Sequence, residues 1–195
     1  MKKLFTIALL IFASVQMFAQ IQFNPQIGVS ALKFTDAPEG ETYKGKVGFS
    51  VGADLRFGEK FQIQPGVHYI NAVTAIKTEG EAVVNSDVVH KYVKLKALAA
   101  YNIIDAEQFK FRLNFGPAYD ILLGAKNKDT GDDLKDQFKN GTFFLQGGVG
   151  VDILFLTADL GYARGLSKTF NYASAPDSKT AGIYFNVGIV FGKGK

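Results

Sequence analysis

The chain has 195 residues, no cysteine, 22 Lys and Arg against 18 Asp and Glu, and a formal net charge of +4. Lack of cysteine excludes disulfides and thiolate metal sites, and so small a basic surplus does not point to nucleic acid. This length suits one domain, and no linker-like composition shift or low-complexity tract divides it.

At the N-terminus, Lys2 and Lys3 precede a mostly apolar run over residues 4–18, and Ala19 before Gln20 offers a small residue for cleavage. That layout is a secretory signal. The run is shorter than the roughly 20 apolar residues a spanning helix needs, so we expect residues 1–19 to be removed and 20–195 to fold as one domain. Cleavage would leave 176 residues and, by removing Lys2 and Lys3, lower the charge from +4 to +2. No later apolar run approaches a spanning helix, so a membrane location requires a barrel.

Strands are predicted near 22–34, 46–57, 61–75, 88–103, 109–123, 142–153, 156–165 and 180–191. The fifth shows the reason best: Phe109, Phe111, Leu113 and Phe115 alternate with Lys110, Arg112, Asn114 and Gly116. With a period of 2, the aromatic residues share one face and the charged and small residues the other. Connections alternate between short (Gly58-Glu59-Lys60, 104–108, Leu154-Phe155) and long and polar (35–45, 76–87, 124–141, 166–179), as in outer-membrane barrels. A three-residue turn would pair Phe57 with Phe61, and a five-residue turn Ile103 with Phe109. Across the even turn Leu154-Phe155 the outward parity should switch, because a one-residue slip reverses the faces. The sequence switches there, from Phe143, Leu145, Val149 and Val151 to Leu156, Ala158, Leu160 and Tyr162.

The expected fold is therefore an all-β, eight-stranded antiparallel up-and-down transmembrane β-barrel in contact with outer-membrane lipid. The alternative that alternates equally well is a soluble, lipocalin-like carrier with the apolar face inward. Against it, the non-apolar face carries Gly28, Gly52, Gly66, Gly148 and Gly150 with Gln62, Gln64, Asn114 and Asn186, which suits a crowded lumen better than a water-facing exterior. Phe57, Phe61, Tyr101, Phe109 and Phe191 beside the short turns match an interfacial girdle.

Parity points Lys46, Asp54, Arg56, Lys94, Lys96, Lys110, Arg112, Asp120, Asp152 and Asp159 inward. Ions in a narrow lumen should be paired, and the nearness of Asp54, Arg56, Lys110, Arg112, Asp152 and Asp159 to short turns predicts an ionic cluster at the periplasmic end. Such a cluster is either a plug or the lining of an ion path; eight strands leave room for little beyond their own side chains, which favours the plug.

Signals for chemistry are weak. His68 and His90, the only histidines, are both placed inward and lie in no metal motif; His68 with Asp120 or Ser50 would be the hydrolase-like pairing to look for. Residues 129–133, Asp-Thr-Gly-Asp-Asp, lack the order of a calcium loop. Asn140-Gly141-Thr142 fits a glycosylation sequon but abuts a strand, and Gly148-Val149-Gly150 is not followed by a helix pattern. We assign no catalytic residue, metal or cofactor.

Tyr92-Val93-Lys94-Leu95-Lys96-Ala97-Leu98 resembles the fourth-strand signature of the PorT-like outer-membrane β-barrel family. Gly116-Pro117-Ala118-Tyr119, Leu122-Leu123-Gly124-Ala125-Lys126, Gly147-Gly148-Val149-Gly150-Val151 and Leu160-Gly161-Tyr162-Ala163-Arg164-Gly165-Leu166 continue the likeness over most of the chain. The resemblance implies an integral outer-membrane barrel, with some members tied to protein secretion or envelope assembly. Lys96 departs from it, standing where the family tends toward an apolar residue or Pro. Phe191 is followed by Gly192-Lys193-Gly194-Lys195, whereas many outer-membrane barrels end on the aromatic residue itself.

The expected role is a non-enzymatic envelope or interaction protein whose extracellular loops contact a protein partner or ligand; narrow-pore transport of small solutes is the alternative. Among the loops, 124–141 is the best candidate for contact, being long, charged and carrying Leu134 and Phe138 at an i, i+4 spacing that suits docking or a short helix.

Overall fold

A computed structural model describes residues 21–34, 41–78, 84–169 and 178–192. The export signal expected over 1–19 and parts of three long loops lie outside those residues. Eight antiparallel strands form one closed barrel in sequence order: β1 (Ile21–Phe34), β2 (Glu41–Phe57), β3 (Phe61–Thr78), β4 (Val84–Asp105), β5 (Phe109–Asn127), β6 (Gly141–Ile153), β7 (Leu156–Gly165) and β8 (Thr180–Ile189). Pairing of β1 with β8, as in Ile27 with Val187, closes the circle. No helix among the described residues is long and apolar enough to cross a membrane.

The apolar face points outward. Phe115 and Phe143 are 59% and 57% exposed, while Arg112 and Asn24 on the other face are 0% exposed. This direction excludes a lipocalin-like carrier, which needs its apolar side chains inside. The parity switch occurs at the two-residue turn, where Ile153 pairs with Leu156 and Leu154 takes a positive φ of 55°, the left-handed backbone such tight hairpins require.

Three details of register differ from expectation. Phe57 pairs with Ile63 rather than Phe61, two residues further on, so the faces are preserved; Gly58, with φ 105°, makes the wider turn. Ile104 pairs with Phe111 and Asp105 with Lys110, the register shifting between Asn102 and Ile104. That bulge lets Ile103 and Ile104 both face outward, at 51% and 47% exposure. A second shift lies between Lys46 and Phe49; its extra residue turns Lys46 out of the lumen, where it is exposed and pairs with Asp87 at 2.7 Å.

Strand lengths are uneven. β4 has 22 residues and β5 has 19, whereas β7 and β8 have 10 each. Spanning a bilayer takes about 9–11 residues, so β2–β5 rise well past it at the long-loop end, as a one-sided ridge. Two of the expected loops are correspondingly shorter, because β2 starts at Glu41 and β4 at Val84.

Candidate functional site

The lumen is layered. At the short-turn end, Gln64 donates to Gln62 at 2.8 Å and Asn102 to the Glu59 carbonyl at 2.8 Å. Above that floor lie Arg56 from β2, Arg112 from β5, Asp152 from β6 and Asp159 from β7. Arg56 donates to Asp152 and to Thr157 Oγ1, each at 2.9 Å. Arg112 donates to Asp152, to Thr157 Oγ1 at 2.9 Å and to Asp159 at 2.5 Å, while Gln26 holds the other Asp159 oxygen at 2.8 Å. Both guanidinium groups are almost wholly buried, at 1% and 0% exposure.

Glycine makes this crossing geometry accessible. Gly150 lies in register between Arg112 on β5 and Asp159 on β7, and a Cβ there would come within 2.5 Å of both groups. The device recurs one layer up, where Gly66 lies between Asp54 and Lys96. Over it, Asp54 bonds Lys96 at 2.9 Å and His68 Nε2 at 2.8 Å. A third instance is Gly28, between Ser50 and Asn186, which are linked at 3.1 Å.

Of the six residues expected to cluster, the structure brings together Arg56, Arg112, Asp152 and Asp159. Asp54 belongs to the layer above. Lys110 sits at the short-turn rim, paired with Asp105 at 2.7 Å. Sequence reading missed Thr157, Gln26 and the Asp54–His68–Lys96 group. Both Thr157 and Gln26 are inward by parity and lie beside the cluster, but only a known register shows which strands meet across the lumen. His68 does not bond Asp120 or Ser50: Asp120 takes Lys94 at 3.3 Å, and Ser50 is bound to Asn186.

The buried ions balance. Arg56, Arg112, Lys94 and Lys96 face Asp54, Asp120, Asp152 and Asp159, each in an ion pair. Between these layers is a cavity of about 30 Å³ lined by Ser30, Ser50, His68, Lys94 and Tyr184 among others, room for about two waters. A smaller one of about 10 Å³ lies beneath Phe138.

Phe138 covers the long-loop end. It follows a short 3-10 turn (Lys135–Gln137), is 5% exposed and packs with Leu122, Ala125, Leu134 and Tyr92. Its ring meets His90 edge-on at 4.8 Å. Leu134 and Phe138 are thus turned onto the barrel's own mouth, and the loop offers residues 128–133 to solvent instead.

A family model described as outer membrane protein beta-barrel domain matches residues 14–171. Similar solved structures include OprG from Pseudomonas aeruginosa, at 14% identity, 89% of this chain, 93% of that chain and TM-score 0.52. Neisserial surface protein A is 16% identical over 87% of this chain and 97% of its own, with TM-score 0.52. Ail, the attachment invasion locus protein of Yersinia pestis, is 17% identical over 87% and 98%, with TM-score 0.47. No curated protein matches the sequence.

Proposed function

Because this chain belongs to the family of outer membrane protein β-barrel domains, we propose that it is a non-conducting, non-enzymatic barrel that presents its long-loop end to partners outside the cell. The chain sits in the outer membrane, with its apolar face against lipid and its short turns on the periplasmic side. The carrying observation is the packed lumen: the buried Arg56–Arg112–Asp152–Asp159 layer ties β2, β5, β6 and β7 together across the interior, every ion in it is paired, and the cavity above holds only about 30 Å³. A path for ions needs mobile water and uncompensated sites, and neither accords with this packing.

What remains for contact is the ridge of β2–β5 and the exposed tip at 128–133. The likeness of residues 92–98 to the PorT-like barrels supports a place in protein secretion or envelope assembly, and residues 1–19 fit a cleaved export signal. Planar-bilayer recording tests the reading: purified protein is expected to be silent, and a steady unitary conductance lost in Arg112→Ala or Asp159→Asn would replace it with narrow-pore transport.

A further inference from the structure

Two cations on the outer wall differ from those in the lumen. Every buried Lys and Arg is ion-paired, but Lys91 and Lys126, both exposed, have no carboxylate partner among the described residues. They stand close together: Lys91 pairs with Gly124, and Lys126 with Val89, one outward step further along each strand. Diagonal neighbours of this kind are about 7–8 Å apart, where like charges repel unless an anion lies between them. Asp133 bridges Lys126 through the backbone and Asp129 accepts from the Asp87 amide at 3.4 Å, yet neither carboxylate forms an ion pair with Lys91 or Lys126, and their neighbours are engaged as well. Asp87 holds Lys46 at 2.7 Å, Asp132 accepts from Thr130 at 2.6 Å, and Asp133 accepts from the Lys135 amide at 2.9 Å.

Position adds a second observation. Along β4 the outward residues run Tyr101, Ala99, Ala97, Leu95 and Val93 before reaching Lys91; along β5, Leu123, 48% exposed, precedes Gly124 and Lys126. The lysines therefore lie at the upper edge of the apolar belt, with acyl-contacting wall directly beneath. Gly124 separates them, and a Cβ there would meet nothing within 4 Å, so the wall beside the two lysines is open at that position. Asn71, paired with Lys91 on the other side, adds an amide.

We infer that the β3–β5 wall at Asn71, Lys91, Gly124 and Lys126 is a binding site for a phosphate-bearing lipid headgroup of the outer leaflet, its acyl chains lying along Val93, Leu95 and Leu123. This goes beyond the loop-end role, since the site is on the membrane-facing side of the barrel and its partner is a lipid.

Native mass spectrometry of the protein purified from outer membranes tests it, titrating bisphosphorylated lipid A against the same glycolipid stripped of phosphate. Bisphosphorylated lipid is expected to bind at least tenfold tighter. Lys91→Gln with Lys126→Gln should weaken it roughly thirtyfold, a factor of about five per lysine near a charged lipid surface, with heat-modifiable gel migration unchanged. Millimolar inorganic phosphate should fail to displace the lipid, because it lacks the apolar contacts. Equal binding of the two glycolipids by wild type, or an unaltered affinity in the double variant, overturns the assignment; full displacement by free phosphate overturns the lipid as its source.

Discussion

Arg112 reaches Asp159, two strands away, by passing over Gly150, and the 2.5 Å contact between them exists because β6 has no side chain at that position. A larger residue at 150 must push the guanidinium, the carboxylate or the strand itself. Gly150→Val is therefore expected to destabilise the barrel by about 1–3 kcal/mol, the usual range for overpacking, seen as a lower temperature of heat-modifiable migration. Gly124→Ala, with open space at its Cβ, should leave that temperature unchanged.

Removing Arg112 itself tests how the plug is held. Arg112→Met leaves Arg56 as the one cation for Asp152, and leaves Asp159 with the Gln26 amide and a 4.0 Å approach from Arg56 in place of a close ion pair. Breaking a buried pair from one side is expected to cost about 3–5 kcal/mol, while neutralising both sides together restores much of it. Arg112→Met should thus unfold at clearly lower urea than wild type, and adding Asp159→Asn should recover part of the loss. A double variant no more stable than Arg112→Met would show that packing, rather than charge pairing, dominates the layer.

Much of this architecture was legible in the sequence because a barrel wall is read by parity. The switch across Leu154-Phe155 could be placed from alternation alone, and it fixed the inward set of β6 and β7. Parity says nothing about an extra residue. Lys46 faces outward instead of inward, and Ile103, outward as parity requires, does not pair with Phe109, because each adjoins a bulge that local sequence does not mark. Nor does parity say how strands are staggered around the lumen. Arg56 and Asp152 are 96 residues apart, and their meeting depends on every register between β2 and β6. Asp54 and Lys110 were grouped with them on nearness to short turns, a coarser measure than the rise of about 3.3 Å per residue that separates one layer from the next.

Phe138 fastens the 128–140 loop to the barrel mouth through Leu122, Ala125 and the His90 ring. Truncation to Ala removes that anchor but touches none of the ion layers. Phe138→Ala is expected to leave the folded gel band intact and to make cleavage after Lys135 and Lys139 by trypsin several-fold faster on whole barrels. Unchanged proteolysis would mean that the backbone bonds to Leu122, Ala125 and Asn127 suffice to hold the loop.

The seam where β8 meets β1 ends on Phe191. Its amide and carbonyl exchange bonds of 2.7 Å with Phe23, and the two rings stack at 6.5 Å with 29° between planes. Both rings are about half exposed on the outer wall at the short-turn end, so they meet lipid as well as each other. An aromatic pair of this kind contributes about 0.5–1.5 kcal/mol beyond the area it buries, and here it acts at the junction that closes the barrel. Phe191→Ala is expected to lower the unfolding temperature in micelles, as is Phe23→Ala. The double variant should lose less than the sum of the two, because each single change already breaks the shared stack. Strict additivity in that cycle would mean that the rings anchor separately to lipid and that the backbone bridge alone closes the seam.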